Sequence, residues 1–305
     1  MAPQSSNPHG ITPAKPMDEP GLVALAARLA AARGLDQSSP AWLDFRQAVL
    51  GAQVAVLEGL CSTLPALSTP PALGGPLLAL DAFDLPAQPM GELWLAMVAA
   101  TRALGQPSDA LDALEAAAVD EPLFLAQLAR AAIQADPQDL EAIAARFGAP
   151  IQAVSFLGRT LAAPFLALAT RLVSADHIAA AGRPTGACPY CGSPAGLATL
   201  SRQGEGKRHL HCGLCGSSWQ YPRIGCPRCG SDDQQQLAFL RLDDQDSAWI
   251  ETCDACQGAI KTVDERRLAP GAAVVPVAED ILSLHLDLLA GQHGYGTGPG
   301  YTATG

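Results

Sequence analysis

Apolar positions from about Pro20 to about Asp176 recur at helical spacing. After Glu19-Pro20, the residues Leu22, Val23, Leu25, Ala26 and Leu29 form one stripe, which Gly34 closes. Ser39 and Pro40 read as an N-cap and first turn, and Trp42, Leu43, Phe45, Val49 and Leu50 continue the pattern. It returns over 90–104, 108–118, 121–134 and 136–147, punctuated by Gly105, Asp120, Asp136-Pro137 and Gly148. The most apolar stretch, 150–173, is interrupted by Gln152, Arg159, Pro164 and Arg171, so no unbroken run reaches the roughly 20 residues a bilayer requires. It predicts a central buried helix, kinked or broken at Pro164, and no membrane insertion. Pro70-Pro71 and Gly74-Gly75 mark a long loop within this helical region.

Beyond Arg183 the period shortens. Segments 197–200, 208–211, 217–223, 237–242 and 247–251 alternate and read as strands of small ribbons. The acidic run Asp243-Asp244-Gln245-Asp246 reads as a solvated hairpin turn between two of them. A last helix is expected over 277–290, with Ile281, Leu284, Leu288 and Leu289 as its packing stripe. The division that follows is a flexible Pro-rich leader (1–20), a helical domain (21–182), two ribbon modules (183–224 and 225–270), and a C-terminal helix with a flexible tail (271–305).

Composition supports helices in the larger part. Hydrophobic residues make up 49% of the 305, yet aromatics only 5%, so alanine and leucine supply the balance. The net charge of −11 is uneven. Residues 1–182 carry nine Lys/Arg against 17 Asp/Glu, whereas 183–267 carry ten of each sign. Phosphate neutralisation drives nucleic-acid binding, and an acidic chain with a neutral ribbon region offers little of it. Nucleic acid is therefore not the expected partner, a local patch at Lys207-Arg208-His209 notwithstanding.

Chemistry concentrates in the cysteines. Eight of the nine fall between Cys188 and Cys256 as Cys-x-x-Cys pairs: Cys188/Cys191, Cys212/Cys215, Cys226/Cys229 and Cys253/Cys256. Two intervening residues let one tight turn aim both sulfurs at a single ion, and two such knuckles complete a tetrahedral S4 site. Four knuckles imply two sites. The intervals 192–211 and 230–252, within the first and second pairs of knuckles, leave room for a hairpin in each. Pairing of adjacent knuckles is expected, with an interleaved cross-brace as the alternative. A disulfide framework would require an oxidising compartment. The leader from Met1 to Pro20 holds five prolines and no apolar core, so neither a signal nor a transit peptide fits, and a reduced, cytoplasmic setting is expected. Cys61, in an apolar helical stretch, reads as a small buried hydrophobe. His209 and His211 flank Cys212, but four cysteines per site leave no ligand position open. A closed site suits structure or electron transfer, not catalysis, and no Ser/His/Asp set, phosphate loop or His-Glu-x-x-His helix appears. The expectation is a protein that is not an enzyme.

The segments Cys188-Pro-Tyr-Cys-Gly192, His211-Cys-Gly-Leu-Cys215 with Trp219 and Arg223, Cys226-Pro-Arg-Cys-Gly230, and Thr252-Cys-Asp-Ala-Cys256 followed by Ile260-Lys261-Thr262 resemble the FdhE family. The terminal stretch from Asp280 to Leu289, with Gly294-Tyr295, is similar to that family's C-terminal segment. The resemblance covers about 188–295 and implies a non-catalytic, cytoplasmic accessory protein for assembly of respiratory formate dehydrogenase. It implies binding of that enzyme's catalytic subunit before export. It also implies rubredoxin-like knuckles holding two metal ions, iron favoured and zinc possible. By residue the sites would be Cys188, Cys191, Cys212 and Cys215, and then Cys226, Cys229, Cys253 and Cys256. The implied fold is multidomain: a mainly α N-terminal domain, two small rubredoxin-like or zinc-ribbon β modules, and a C-terminal helix. Trp219, Tyr221 and Arg223 become candidates for a docking face, or for ribbon packing. The fourth knuckle departs from the pattern, with Gln257 where glycine is expected and Gly258 one place later. A rubredoxin-like electron carrier or redox sensor is the alternative function.

Overall fold

The computed structural model describes residues 7, 10–14, 27–29, 39–60, 75–78, 80, 85–105, 108–180, 185–203, 205–242, 247–269 and 274–297. The helix expected around 21–34, most of the Pro/Gly loop, Cys61 and the acidic turn at 243–246 lie largely or wholly outside them. Two compact units result. One comprises Pro16–Ala66 and Ala79–Ala169; the other comprises Met1–Lys15, Leu67–Leu78 and Thr170–Gly305.

The first unit is helical: α1 (Pro40–Leu60), α2 (Ala87–Arg102), α3 (Asp109–Asp120), α4 (Phe124–Gln134), α5 (Pro137–Phe147) and α6 (Ile151–Thr170, whose last residue belongs to the second unit). Local chemistry sets the boundaries. Ser108 Oγ accepts from Leu111 N at 3.1 Å, and Asp136 Oδ1 accepts from Gln138 N at 2.8 Å with Pro137 in the first turn. Gly148 ends α5 at φ 60°. Val154, Leu161, Phe165 and Leu166 of α6 are fully buried. Gly158 lets α6 approach α4 closely, since a Cβ there would lie 2.6 Å from Leu128 O and from Ala132 Cβ.

Of the kink or break expected at Pro164, the break does not occur, and α6 is continuous. Proline has no N–H for the carbonyl four residues earlier, and in α6 that carbonyl, Thr160 O, accepts from Gln53 Nε2 of α1 at 2.7 Å. Among the described residues α6 is the one helix long and apolar enough to cross a membrane by length and composition, and 61% of its most apolar window is buried within the protein.

The second unit holds a short helix, α7 (Ala175–Ala180), and six strands: β1 (Ala195–Leu200), β2 (Arg208–Cys212), β3 (Ser218–Tyr221), β4 (Leu237–Leu240), β5 (Ala248–Cys253) and β6 (Gly258–Asp264). The two expected ribbon modules are one sheet of order β3-β2-β1-β6-β5-β4. Each ribbon is antiparallel, and parallel pairing of β1 with β6, Leu197 opposite Lys261 through Leu200 opposite Asp264, fuses them. The sequence pattern missed β6. Every residue of it is buried, so it lacks the alternation of a strand with one wet face.

Two helices, α8 (Pro276–Leu282) and α9 (Leu284–Gln292), stand where one was expected. Ser283 separates them, its hydroxyl donating to Glu279 O at 2.6 Å. The break changes which side of the predicted stripe is buried. Ile281 is buried and Leu289 packs on the sheet as expected, but Leu284 and Leu288 are 43% and 62% exposed, and Leu286 and Ala290 pack against Ile250 and Ala259. Lys261 reaches from β6 to Asp280 and Asp287, with Nζ 2.6 Å and 2.7 Å from their carboxylates.

Both expected loose ends are tied down in part. Thr12 of the leader exchanges backbone hydrogen bonds with Ser218 on the outer side of β3, at 2.7 and 3.0 Å, and Ile11 is buried. Gly296 accepts from Ala259 N at 2.8 Å and donates to Gln257 O at 2.9 Å, which pins the start of the expected tail to β6.

Candidate metal centres

Each knuckle folds by the same local rule. In the first three, the leading cysteine's N–H donates to a serine carbonyl five residues on: Cys188 to Ser193 (2.7 Å), Cys212 to Ser217 (2.9 Å) and Cys226 to Ser231 (2.8 Å). A glycine after the second cysteine turns the chain left-handed, at φ 75° for Gly192, 72° for Gly216 and 78° for Gly230, and its N–H returns to the leading carbonyl. The motif is thus Cys-x-x-Cys-Gly-Ser, and the recurring serine was legible in the sequence but passed over. In the fourth knuckle Gln257 itself takes the left-handed turn at φ 52°, its Nε2 donating to Asp254 O at 2.9 Å. Gly258 does not substitute for it. That position is crowded, since a Cβ would lie 2.3 Å from Arg228 Cδ and 3.1 Å from Cys256 Sγ.

The sequence-adjacent knuckles come together. The sulfurs of Cys188, Cys191, Cys212 and Cys215 form one group and those of Cys226, Cys229, Cys253 and Cys256 another, each within 4.8 Å throughout. The shortest separations are Cys188–Cys215 and Cys191–Cys212 at 3.5 Å, Cys226–Cys256 at 3.6 Å and Cys229–Cys253 at 3.8 Å. A metal bonded to four thiolates at about 2.3 Å requires tetrahedral S···S edges of about 3.8 Å. The quartets match that spacing and are far longer than a sulfur–sulfur bond. No cross-braced pairing occurs, and among the described residues no histidine joins either group. His211 Nε2 lies instead 2.9 Å from Thr199 Oγ1.

The surroundings suit thiolates. Ser217 Oγ lies 3.1 Å from both Cys188 and Cys215 Sγ, and the N–H groups of Leu214 and Cys215 point at Cys212 Sγ from 3.4 Å. Arg228 N does the same for Cys226. Hydrogen bonds from Cys188, Cys212 and Cys215 hold the Cys191 thiol well below its ordinary pKa, while the same network pushes Cys212 and Cys215 well above theirs. Such a group gives up its first proton readily and resists the rest until a cation neutralises the charge, so ionising all four is linked to metal binding.

The two quartets differ in enclosure. All four cysteines of the first are buried. A strap from the loop region covers them, with Leu77 N and Leu78 N donating to the carbonyls of Pro189 and Tyr190 at 2.8 and 2.9 Å. In the second quartet Cys229 is exposed and Cys256 half-buried. Trp219 is wholly buried, its Nε1 donating to Thr185 O at 3.0 Å, and Tyr221 donates to Cys226 O at 3.0 Å. Both are packing residues, and Arg223 alone of the three docking candidates is exposed. Arg208, taken from the sequence as part of a basic patch, is buried. It donates to Gly225 O at 2.8 Å and pairs with Glu251.

A helical unit and a sheet carrying two cysteine quartets, each able to hold a metal ion, define the class of protein. Over its cysteine-bearing part the chain is similar to the FdhE family: residues 187–223 match the FdhE central domain and 224–299 the FdhE C-terminal domain. Curated relatives match over a comparable length. A protein FdhE homolog of Aquifex aeolicus is 34% identical over 110 residues, and one of Pseudomonas aeruginosa is 36% identical over 117. These alignments span 38% and 36% of the relatives' own length and 35% of this chain. The fold likeness is wider. The crystal structure of the FdhE protein from Pseudomonas aeruginosa superposes with a TM-score of 0.56 at 22% identity, over 97% of this chain and 99% of that one.

Proposed function

We propose that this protein is a non-catalytic accessory factor in the assembly of a respiratory formate dehydrogenase. In this reading it holds the enzyme's catalytic subunit in the cytoplasm before export. The observation that carries the proposal is the pair of FdhE domains laid over two cysteine quartets, together with a likeness of fold that extends through the helical unit. The eight cysteines would bind two metal ions, iron in preference to zinc. All four positions of each site come from protein, which favours a structural or electron-holding role over substrate chemistry. Iron would add a change of oxidation state; zinc would not.

The test is an affinity capture of the tagged protein from anaerobically grown native cells, read by mass spectrometry, with metal analysis of the same preparation. Recovery of a formate dehydrogenase catalytic subunit, lost in Cys188→Ala, supports the reading. Retention of both metals in that variant would refute the proposed ligand set. A second reading, a rubredoxin-like electron carrier or redox sensor, draws on the exposure of Cys229, which brings one edge of the second quartet to solvent. It predicts a reversible redox wave and capture of an electron-transfer partner in place of a dehydrogenase.

A further inference from the structure

The sheet has two unlike faces. One packs α9 through Ile250 and Ala259. The other opens, over β4, β5 and β6, into a cleft of about 440 Å3 beside Cys226 and Cys253. Five arginines line it, Arg223, Arg228, Arg241, Arg266 and Arg267, against two carboxylates, Glu251 and Asp264. Both carboxylates are already engaged. Asp264 holds Arg266 at 2.7 Å and Arg267 at 3.6 Å, and Glu251 pairs with the buried Arg208 at 2.7 Å. Among the described lining residues arginines thus outnumber carboxylates, on a chain whose net charge is −11.

Arg241 is held by stacking. Its guanidinium lies over two rings, 4.8 Å from the centroid of Phe239 and 4.5 Å from that of Trp249. Among the described residues it has no carboxylate partner, and its buried Nε has no acceptor. Stacking fixes the plane of the fork and lowers the entropy lost when a carboxylate binds. Arg223, at the opposite end of the cleft lining, spends one nitrogen on Gly206 O at 2.9 Å and is otherwise exposed. Apolar surface lies beside them, with Phe239 59% and Ile224 52% exposed.

Backbone availability adds a direction. β4 is the outermost strand, and among the described residues no strand lies beyond it. The opposite edge, β3, is closed by Thr12. An open edge strand can pair with an extended peptide, whose alternate side chains then fall on one face of the sheet. Phe239 and Arg241, two positions apart, both line the cleft.

We propose that this cleft binds an extended acidic peptide of a partner protein, which meets the sheet at the open β4 edge and crosses the cleft so that separate carboxylates reach Arg241 and Arg223. The inference deepens the assembly reading and rests on it for whose peptide this is, though not for the binding itself. The cleft's arginines are complementary to acid, and the edge strand suits a peptide over a nucleic acid.

The experiment titrates the full-length, metal-loaded protein into a fluorescein-labelled ten-residue peptide of alternating glutamate and threonine. Parallel titrations use its glutamine counterpart and a labelled ten-nucleotide single-stranded DNA. Saturable binding of the acidic peptide alone is expected, weakened about tenfold or more by Arg241→Gln or Arg223→Gln and weakened by added salt. Because Arg223 is exposed, its variant keeps the test open if Arg241→Gln disturbs the sheet; unchanged metal content reports the fold of each. Equal binding of the glutamine peptide, or unaltered binding by Arg223→Gln, would overturn the proposal. So would tighter binding of the DNA, which would make the cleft a nucleic-acid site. Capture of the dehydrogenase subunit is scored separately: its failure while the acidic peptide still binds would remove the assembly reading and leave the cleft standing.

Discussion

Arg208 on β2 and Glu251 on β5 meet at 2.7 Å, although β1 and β6 lie between their strands. The arginine is wholly buried, donates also to Gly225 O, and lies over the Tyr221 ring. One side chain thus joins the first ribbon, the linker between the second and third knuckles, and the second ribbon. Replacing Arg208 by methionine removes the cation and leaves Glu251 only its bonds from Thr262 and Trp249. The expected cost is about 3 kcal/mol, measured as a lowered urea midpoint with metal present. Glu251→Gln, which still accepts from Thr262, should cost less. Equal effects of the two variants would show that charge pairing is not what joins the ribbons.

Gln257 occupies a left-handed position that glycine holds in the other three knuckles. A β-branched side chain tolerates that backbone poorly. Gln257→Val should lose about 1–2 kcal/mol and loosen the second quartet, since Cys256 precedes it directly. The readout is metal content after dialysis, with loss confined to one ion per chain. Loss of neither would show that the turn relaxes without cost.

Enclosure predicts the order of metal release. A chelator must reach the sulfurs, and Cys229 is exposed whereas the first quartet is covered throughout. A chelator chase of the loaded protein should be biphasic, one ion leaving well before the other. Cys229→Ser should accelerate or abolish the fast phase and leave the slow one unchanged. A single phase of two ions would contradict the asymmetry.

Lys261 gives a pH signature. Burial acts most strongly and would lower its pKa, but Asp280 and Asp287 together outweigh it and the net shift is upward. A raised pKa stabilises the fold fully below the unfolded value of about 10.4, and that contribution disappears as pH rises through the higher folded value. Lys261→Met should therefore be less stable at pH 7 by about 2–3 kcal/mol, because α8 and α9 lose their anchor to β6. The gap from the unsubstituted protein should narrow above about pH 10.4. Thermal unfolding across pH 7 to 11 measures it, and a constant gap would rule out the ion pairs as the cause.

Much of the helical unit could be read along the chain, because Ser108, Asp136-Pro137 and Gly148 act on their immediate neighbours. The same locality explains why the eight cysteines were found: each knuckle is closed by bonds between near neighbours in the chain. Errors arose where a distant residue changed a local rule. Pro164 does not break α6 because Gln53, over a hundred positions away, takes the stranded carbonyl. Ser283 divides the terminal helix, so that Leu286 and Ala290 join Leu289 of the predicted stripe against Ile250 while Leu284 and Leu288 are left exposed.

By itself, then, the sequence determined the elements whose causes are near neighbours: capped helices, four knuckles, and the thiolate chemistry of eight cysteines at fixed short spacing. Only the tertiary structure decided that two ribbons are one sheet, joined by β1 and the wholly buried β6. It alone decided that Arg208 is internal glue while Arg241 lies over two rings. The physical reason is range. Turns and caps are settled by bonds within a short stretch of chain, whereas strand order, burial and the pairing of charges depend on which distant segments share a surface, and alternation along one strand carries no record of its neighbour.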